Sequence, residues 1–149
     1  MQDLVMSNLD IVLRLTAASF LGGAIGLERE MHGKEAGFRT YALVCLGSAL
    51  VMVVSTQIFE VYRNVAQVDP SRIAAQVVSG VGFLGAGAII RFPQGIKGLT
   101  TAAGIWTASG IGLACGMGFY VPALIATFLT LVILIVFSKV DRWFGGKDN

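Results

Sequence analysis

YALVCLGSALVMVVSTQIF, residues 41–59, has no charged side chain in nineteen positions. A helix needs roughly 20 apolar residues to cross the hydrocarbon layer of a bilayer, and this run matches that length. Its residues do not alternate apolar and polar, as the strands of a membrane barrel do. Lipid offers a bare backbone no hydrogen-bond partner, so the run folds as a helix, whose N–H and C=O groups satisfy one another. Further runs on either side read the same way, and the expected spans cover residues 11–27, 41–59, 73–90, 101–117 and 120–137. The fold class is an all-α membrane protein, a single transmembrane domain over 1–149 with a bundle of about five helices and its surroundings in the lipid bilayer.

Composition points the same way. The chain is 55% hydrophobic and 13% charged, about half the charge of an ordinary soluble domain. So few charges cannot cover a water-facing surface. The net charge of +2 and the scattered basic residues exclude nucleic acid as a partner class. Cys45 and Cys115 each lie inside an apolar run, lack CxxC spacing and have one histidine, His32, in the chain. They read as small apolar fillers, with no disulfide or metal framework. The start, Met1-Gln2-Asp3, lacks the basic segment of a secretory signal, so the first apolar stretch is expected to stay in the mature protein.

The connections carry the punctuation. Glu28 to Arg39 is polar and contains Gly33 and Gly37, which makes it a loop or a broken helix end. Asp69-Pro70 is a helix start, with Asp able to cap free N–H groups and Pro tolerated in the first turn. Arg91-Phe92-Pro93-Gln94-Gly95 stops the third span, and Thr100 and Thr101 are expected to cap the fourth. Gly116-Met117-Gly118 is a very tight connection, and Lys139, Arg142 and Trp143 mark a membrane interface.

Basic residues outside the spans fix the expected orientation. With five spans, one side receives Arg29, Lys34, Arg39, Arg91, Lys97, Lys139, Arg142 and Lys147, and the other receives Arg63 and Arg72. Cytoplasmic loops carry the excess of Lys and Arg. The richer side, including the C-terminus, is therefore expected in the cytoplasm and the N-terminus outside.

The 19 glycines are placed at helical intervals. Ala75, Ser79, Gly82 and Ala86 form one stripe, Gly104, Ala108, Gly112 and Gly116 a second, and Gly22 with Gly26 a shorter third. Helices in lipid associate largely by van der Waals contact, and small residues permit close approach. Gly82, Ala86, Gly104 and Gly112 are the expected packing residues, in the bundle interior or at a dimer interface. The third and fourth helices are the expected centre. Gly80 to Gly85 also fits GxGxxG, but that motif needs a preceding strand and an acidic residue about 20 positions on. No Asp or Glu occurs between Asp69 and Asp141.

Charges in a membrane helix cost a few kcal/mol and each asks for a partner. Asp10 and Arg14 lie four apart, in the favoured orientation for a helical ion pair. Glu28 and Arg39 form an expected interfacial charged cluster. They pair across the loop, sit there as ordinary interfacial charge, or leave the carboxylates to hold a hydrated cation such as Mg²⁺, for which Glu28 and Glu30 alone are a poor site because residues two apart on a helix do not face each other. Arg72, Gln76 and Ser79 fall at i, i+4 and i+7 and form a polar face on the third helix. Arg72 either snorkels to the interface or opens a polar cleft. No nucleophile has a base in sequence view, so no enzyme and no cofactor are expected.

Several stretches together resemble the MgtC/SapB family of bacterial inner-membrane proteins. They are Gly22-Gly23-Ala24-Ile25-Gly26-Leu27-Glu28-Arg29-Glu30, Gly37-Phe38-Arg39-Thr40, the run from Arg72 through Gln76 and Ser79 to Gly87, and Gly98-Leu99-Thr100-Thr101-Ala102-Ala103 with Trp106. The resemblance covers about Arg14 to Tyr120. It implies a multi-pass protein of the inner (plasma) membrane tied to magnesium homeostasis, one that acts by contact with other membrane proteins or as a homo-oligomer. Many family members carry the label of magnesium transporter, which is the alternative. The longer members continue into a soluble C-terminal domain, and this sequence, stopping at Asn149, reads as a short form without it. The third to fifth spans hold no acid, which argues against a dedicated cation channel.

Overall fold

The computed structural model describes residues 6–93 and 95–139. Met1–Asp3, Gln94, Arg142, Trp143 and Lys147 lie outside the described residues. Five helices follow one another: α1 (Asn8–Met31), α2 (Phe38–Tyr62), α3 (Ser71–Gly87), α4 (Leu99–Met117) and α5 (Tyr120–Val132), which continues as a π-helical turn over Ile133–Phe137. Between α3 and α4 two short strands, β1 (Ile90–Phe92) and β2 (Gly95–Lys97), form an antiparallel hairpin with Ile90 opposite Lys97.

Three of these segments are long and apolar enough to cross a membrane: Asn8–Met31, Phe38–Tyr62 and Tyr120–Phe137. α3 has 17 residues, about 26 Å at 1.5 Å per residue, just under the ~30 Å hydrocarbon core. The expected third span ran to residue 90. The helix instead ends after Gly85-Ala86-Gly87, where two weak helix formers meet, and Ile90 enters β1. α1 is longer than expected at both ends. Ser7 Oγ accepts the Asp10 N–H at 3.1 Å and caps it, and Glu28 to Met31 remain helical. The polar stretch therefore begins inside the helix.

The centre is a trio of α1, α2 and α4. α1 runs antiparallel to α2: a Cβ placed on Gly22 would lie 2.5 Å from the Tyr41 carbonyl oxygen, and one on Gly26 would lie 2.7 Å from the Gly37 carbonyl oxygen. α4 runs parallel to α2. Gly104 abuts the Tyr41 hydroxyl, Gly112 the Cys45 carbonyl, and Gly116 the Ala49 carbonyl. Ala18, Ile25, Tyr41, Cys45, Ala49, Ala108, Ile111 and Cys115 fill the shared core. Both cysteines are free, and Cys45 Sγ donates to the Ala108 carbonyl oxygen at 2.9 Å.

α3 is peripheral, which departs from the expectation that it shares the centre with α4. Only Val81 and Gly85 on it are buried. Gly85 meets Ala102 of α4, with 3.5 Å from its notional Cβ to the Ala102 carbonyl oxygen, so the end of α3 lies against the start of α4. The reason is steric. The small-residue stripe of α4 faces α2, whereas that of α3 faces away from the bundle. Large apolar side chains point outward all round the described residues, with Phe20, Phe83 and Phe128 at 76%, 82% and 65% exposure. A surface of that kind belongs in lipid.

Candidate functional site

The polar groups within the trio gather at its two ends. At one end α1 carries Asp10 and Arg14. Arg14 Nη2 donates to Asp10 Oδ2 at 3.0 Å and Nη1 donates to the Gly116 carbonyl oxygen at 2.8 Å. The expected ion pair forms, and it also clamps α1 to the last turn of α4. Gly118 follows in the left-handed region at φ 82°, with 3.2 Å between its notional Cβ and the Arg14 guanidinium. Only glycine suits that turn, because a side chain would be strained and would crowd the clamp.

The other end is built from the last turn of α1 and the first of α4. Glu28 and Arg29 are 8% and 4% exposed. Arg29 Nη2 donates to Thr101 Oγ1 at 3.2 Å, and the Tyr41 hydroxyl donates to the Thr101 carbonyl oxygen at 3.3 Å. Glu28 Oε1 lies 3.0 Å from His32 Nδ1, whereas Glu28 Oε2 stands 3.9 Å from Arg29 Nη1. Arg29 Nε and Glu28 Oε2 are buried without a hydrogen-bond partner. Charge-to-charge contact is present here, but hydrogen bonding between the two charges is not, a costly arrangement for buried ions.

Glu28 and Arg39 are not brought together. Glu28 turns to His32 and Arg29, and Arg39 is exposed at the start of α2. Thr100 and Thr101 do not cap α4. Gly98 is its N-cap, in the left-handed region at φ 90°, with no side-chain hydrogen bond, and Thr101 is buried under Arg29. A Cβ on Gly98 would collide with the Ala88 carbonyl oxygen. Thr107 donates to its own helix, to the Ala103 carbonyl oxygen at 2.9 Å.

Arg72, Gln76 and Ser79 all lie exposed along α3. No hydrogen bond or ion pair joins these three side chains to one another or to another helix among the described residues. Gly80 and Gly82 face open space and Ala86 is exposed. Of the four expected packing residues, Gly104 and Gly112 therefore lie inside the trio, while Gly82 and Ala86 lie on the open face of α3. Before α3, Asp69 accepts from the Ser71 N–H at 2.8 Å and the Ser71 hydroxyl at 2.6 Å. Those bonds hold the Asp69 carboxyl below the usual carboxylate range. The described residues contain no group of three or more His, Cys, Asp or Glu able to hold a metal ion.

The sequence reading gave Arg29 no role beyond interfacial charge and Thr101 only a cap. A signal for both was present. Arg14, Ala18, Gly22, Gly26 and Arg29 follow one another at helical intervals, as do Thr101, Gly104, Ala108 and Gly112. A polar residue that continues a stripe of small ones shares the face those residues bury.

Comparison with known proteins fits this architecture. No solved structure matches the chain. It is 48% identical over 133 residues to the Escherichia coli K12 protein named "Putative magnesium transporter YhiD", covering 88% of this chain and 62% of that protein. It is 44% identical over 146 residues to an uncharacterized protein of Haemophilus influenzae, covering 95% and 61%. It is 45% identical over 131 residues to Protein MgtC of Salmonella typhimurium, covering 88% and 54%. The chain thus spans between 54% and 62% of the length of these relatives. The sequence profile of the MgtC family matches residues 15–143, from within α1 through α5, and the chain belongs to the MgtC family.

Proposed function

We propose that this chain is a multi-pass protein of a bacterial inner membrane, with the Arg29, Lys34 and Lys97 end in the cytoplasm. It acts in magnesium homeostasis as a regulatory or accessory protein, through helix contacts with membrane partners or further copies of itself. The observation that carries this reading is the open face of α3. Arg72, Gln76 and Ser79 are exposed there beside Gly80, Gly82 and Ala86. A bilayer penalises polar groups left facing lipid, and small residues let a second helix approach closely. Both features suit a helix that receives a partner. The trio, by contrast, is closed by backbone-to-backbone contact and offers no acid-lined path between its two charged ends.

A transporter or channel for Mg²⁺ or another small ion is the second reading. The name of the Escherichia coli relative, "Putative magnesium transporter YhiD", favours it. Reconstitution separates the two. The folded, inserted protein is expected to give no Mg²⁺ flux above that of empty liposomes, and a photo-cross-linker at Gly82 is expected to capture a discrete membrane product in cells. Flux that exceeds the control and falls with Arg72→Ala makes the chain a transporter and removes the accessory reading.

A further inference from the structure

Arg29 is a buried cation short of partners. A guanidinium has five N–H donors. Arg29 donates to Thr101 Oγ1 and also lies against the Tyr41 hydroxyl, its Nε has no hydrogen-bond partner, and the nearest carboxylate oxygen is 3.9 Å away. That carboxylate, Glu28, is engaged at 3.0 Å with His32. Arg29 lines a cavity of about 540 Å³ between the α1–α2 connection and the start of α4. Lys34, Lys97, Thr100 and Thr101 line the same cavity, together with one acid, Glu35. Lys97 is held there by its hairpin, with Nζ 5.4 Å from the centre of the Phe92 ring.

The start of α4 completes the picture. Its first turn, Leu99 to Thr101, begins at Gly98 with no side-chain cap. Helix N-termini leave their first N–H groups free and carry a positive partial charge, which suits an anion. Three cationic side chains against one carboxylate leave the lining positive by two. We propose that this cavity binds a phosphate-bearing anion at the membrane interface, with Arg29 and the first turn of α4 holding the phosphate and Lys34 and Lys97 closing over it. A phosphate accepts several hydrogen bonds at once, including a two-pronged pair from arginine. It therefore suits a cavity bordered by a guanidinium and an uncapped helix N-terminus. The volume falls in the range of ordinary small-ligand sites. A lipid headgroup and a soluble phosphate share this chemistry, and basic pockets at the cytoplasmic ends of membrane helices are known to bind anionic headgroups.

The test uses the intact chain in nanodiscs and reads binding directly. One arm compares co-purified phosphatidylglycerol with phosphatidylcholine by native mass spectrometry, and the other titrates pyrophosphate. Lys34→Gln with Lys97→Gln removes two charges from the rim and leaves the buried network intact. Arg39→Gln with Arg91→Gln removes two charges outside the cavity lining. The rim pair is expected to lower retention of the preferred anion at least fivefold and the second pair less than twofold. Selective loss of phosphatidylglycerol assigns the site to a headgroup, and selective loss of pyrophosphate assigns it to a soluble phosphate. Binding of neither probe, or equal losses in both charge-removal pairs, overturns the proposal.

Discussion

The small-residue stripes of α4 and α3 share a helical spacing, yet they do opposite things. Gly104, Gly112 and Gly116 each sit against a side chain or carbonyl of α2, leaving no room for a Cβ. Gly80, Gly82 and Gly87 meet nothing within 4 Å. In the trio, glycine sets how closely two backbones lie. On α3 it leaves a surface flat. A small-residue stripe thus shows which helix face admits close approach and leaves the approaching helix unidentified.

Substitutions on the two stripes should separate these roles. Gly112→Leu is expected to have the largest effect. Overpacking a filled core typically costs about 1–3 kcal/mol and occasionally more, and here the obstacle is a backbone carbonyl that cannot swing aside, which places this substitution above that range. Folded protein should fail to accumulate, as read by monodisperse yield in detergent. Arg29→Ala comes next. Removing one member of a buried charge pair costs about 3–5 kcal/mol, and the 3.9 Å separation from Glu28 places this one near the lower figure. Thermal unfolding in detergent checks it, and an unchanged midpoint would mean the buried pair contributes nothing.

Arg14→Ala should cost about 2 kcal/mol, the worth of a charged hydrogen bond, through loss of the contact to Gly116. Gly82→Leu should change stability by no more than about 0.5 kcal/mol, as an exposed site does. Its effect should appear in growth at low Mg²⁺, where Gly82→Leu and Arg72→Ala are expected to impair function more than Arg63→Ala. If all three variants grow alike, the open face of α3 has no role there.

Asp69→Ala should have the smallest effect and should depend on pH. The Asp69 carboxyl is held below its ordinary value by Ser71. Its contribution is therefore present above the unfolded value, about 3.9, and is lost as pH falls through the lower folded value. Amide exchange at Ser71 should be faster in Asp69→Ala than in the parent at neutral pH. The two should converge in strong acid.

The five helices were legible because a membrane helix writes its length into an unbroken apolar run, as in residues 41–59. The Asp10–Arg14 pair was legible because both partners lie on one helix at a fixed spacing. Partnership between helices was not. Glu28 had Arg39 within reach along the chain, but it found His32 one turn on. Arg29 reached Thr101, 72 positions away. The β1–β2 hairpin was missed because its strands are three residues each and Ile89-Ile90 extend the apolar run of α3. The outward turn of α3 was missed because a stripe of small residues looks the same whether it faces protein or lipid.

The hairpin between α3 and α4 also bears on how the outer helix is held. α1, α2 and Tyr120–Phe137 are long and apolar enough to cross a membrane, whereas α3 has 17 residues and few buried ones. The hairpin folds the two into a single helical pair, with Gly98 pressed on Ala88. α3 buries little of its own surface, so the hairpin tethers it to the bundle through α4, whose glycines are seated on α2.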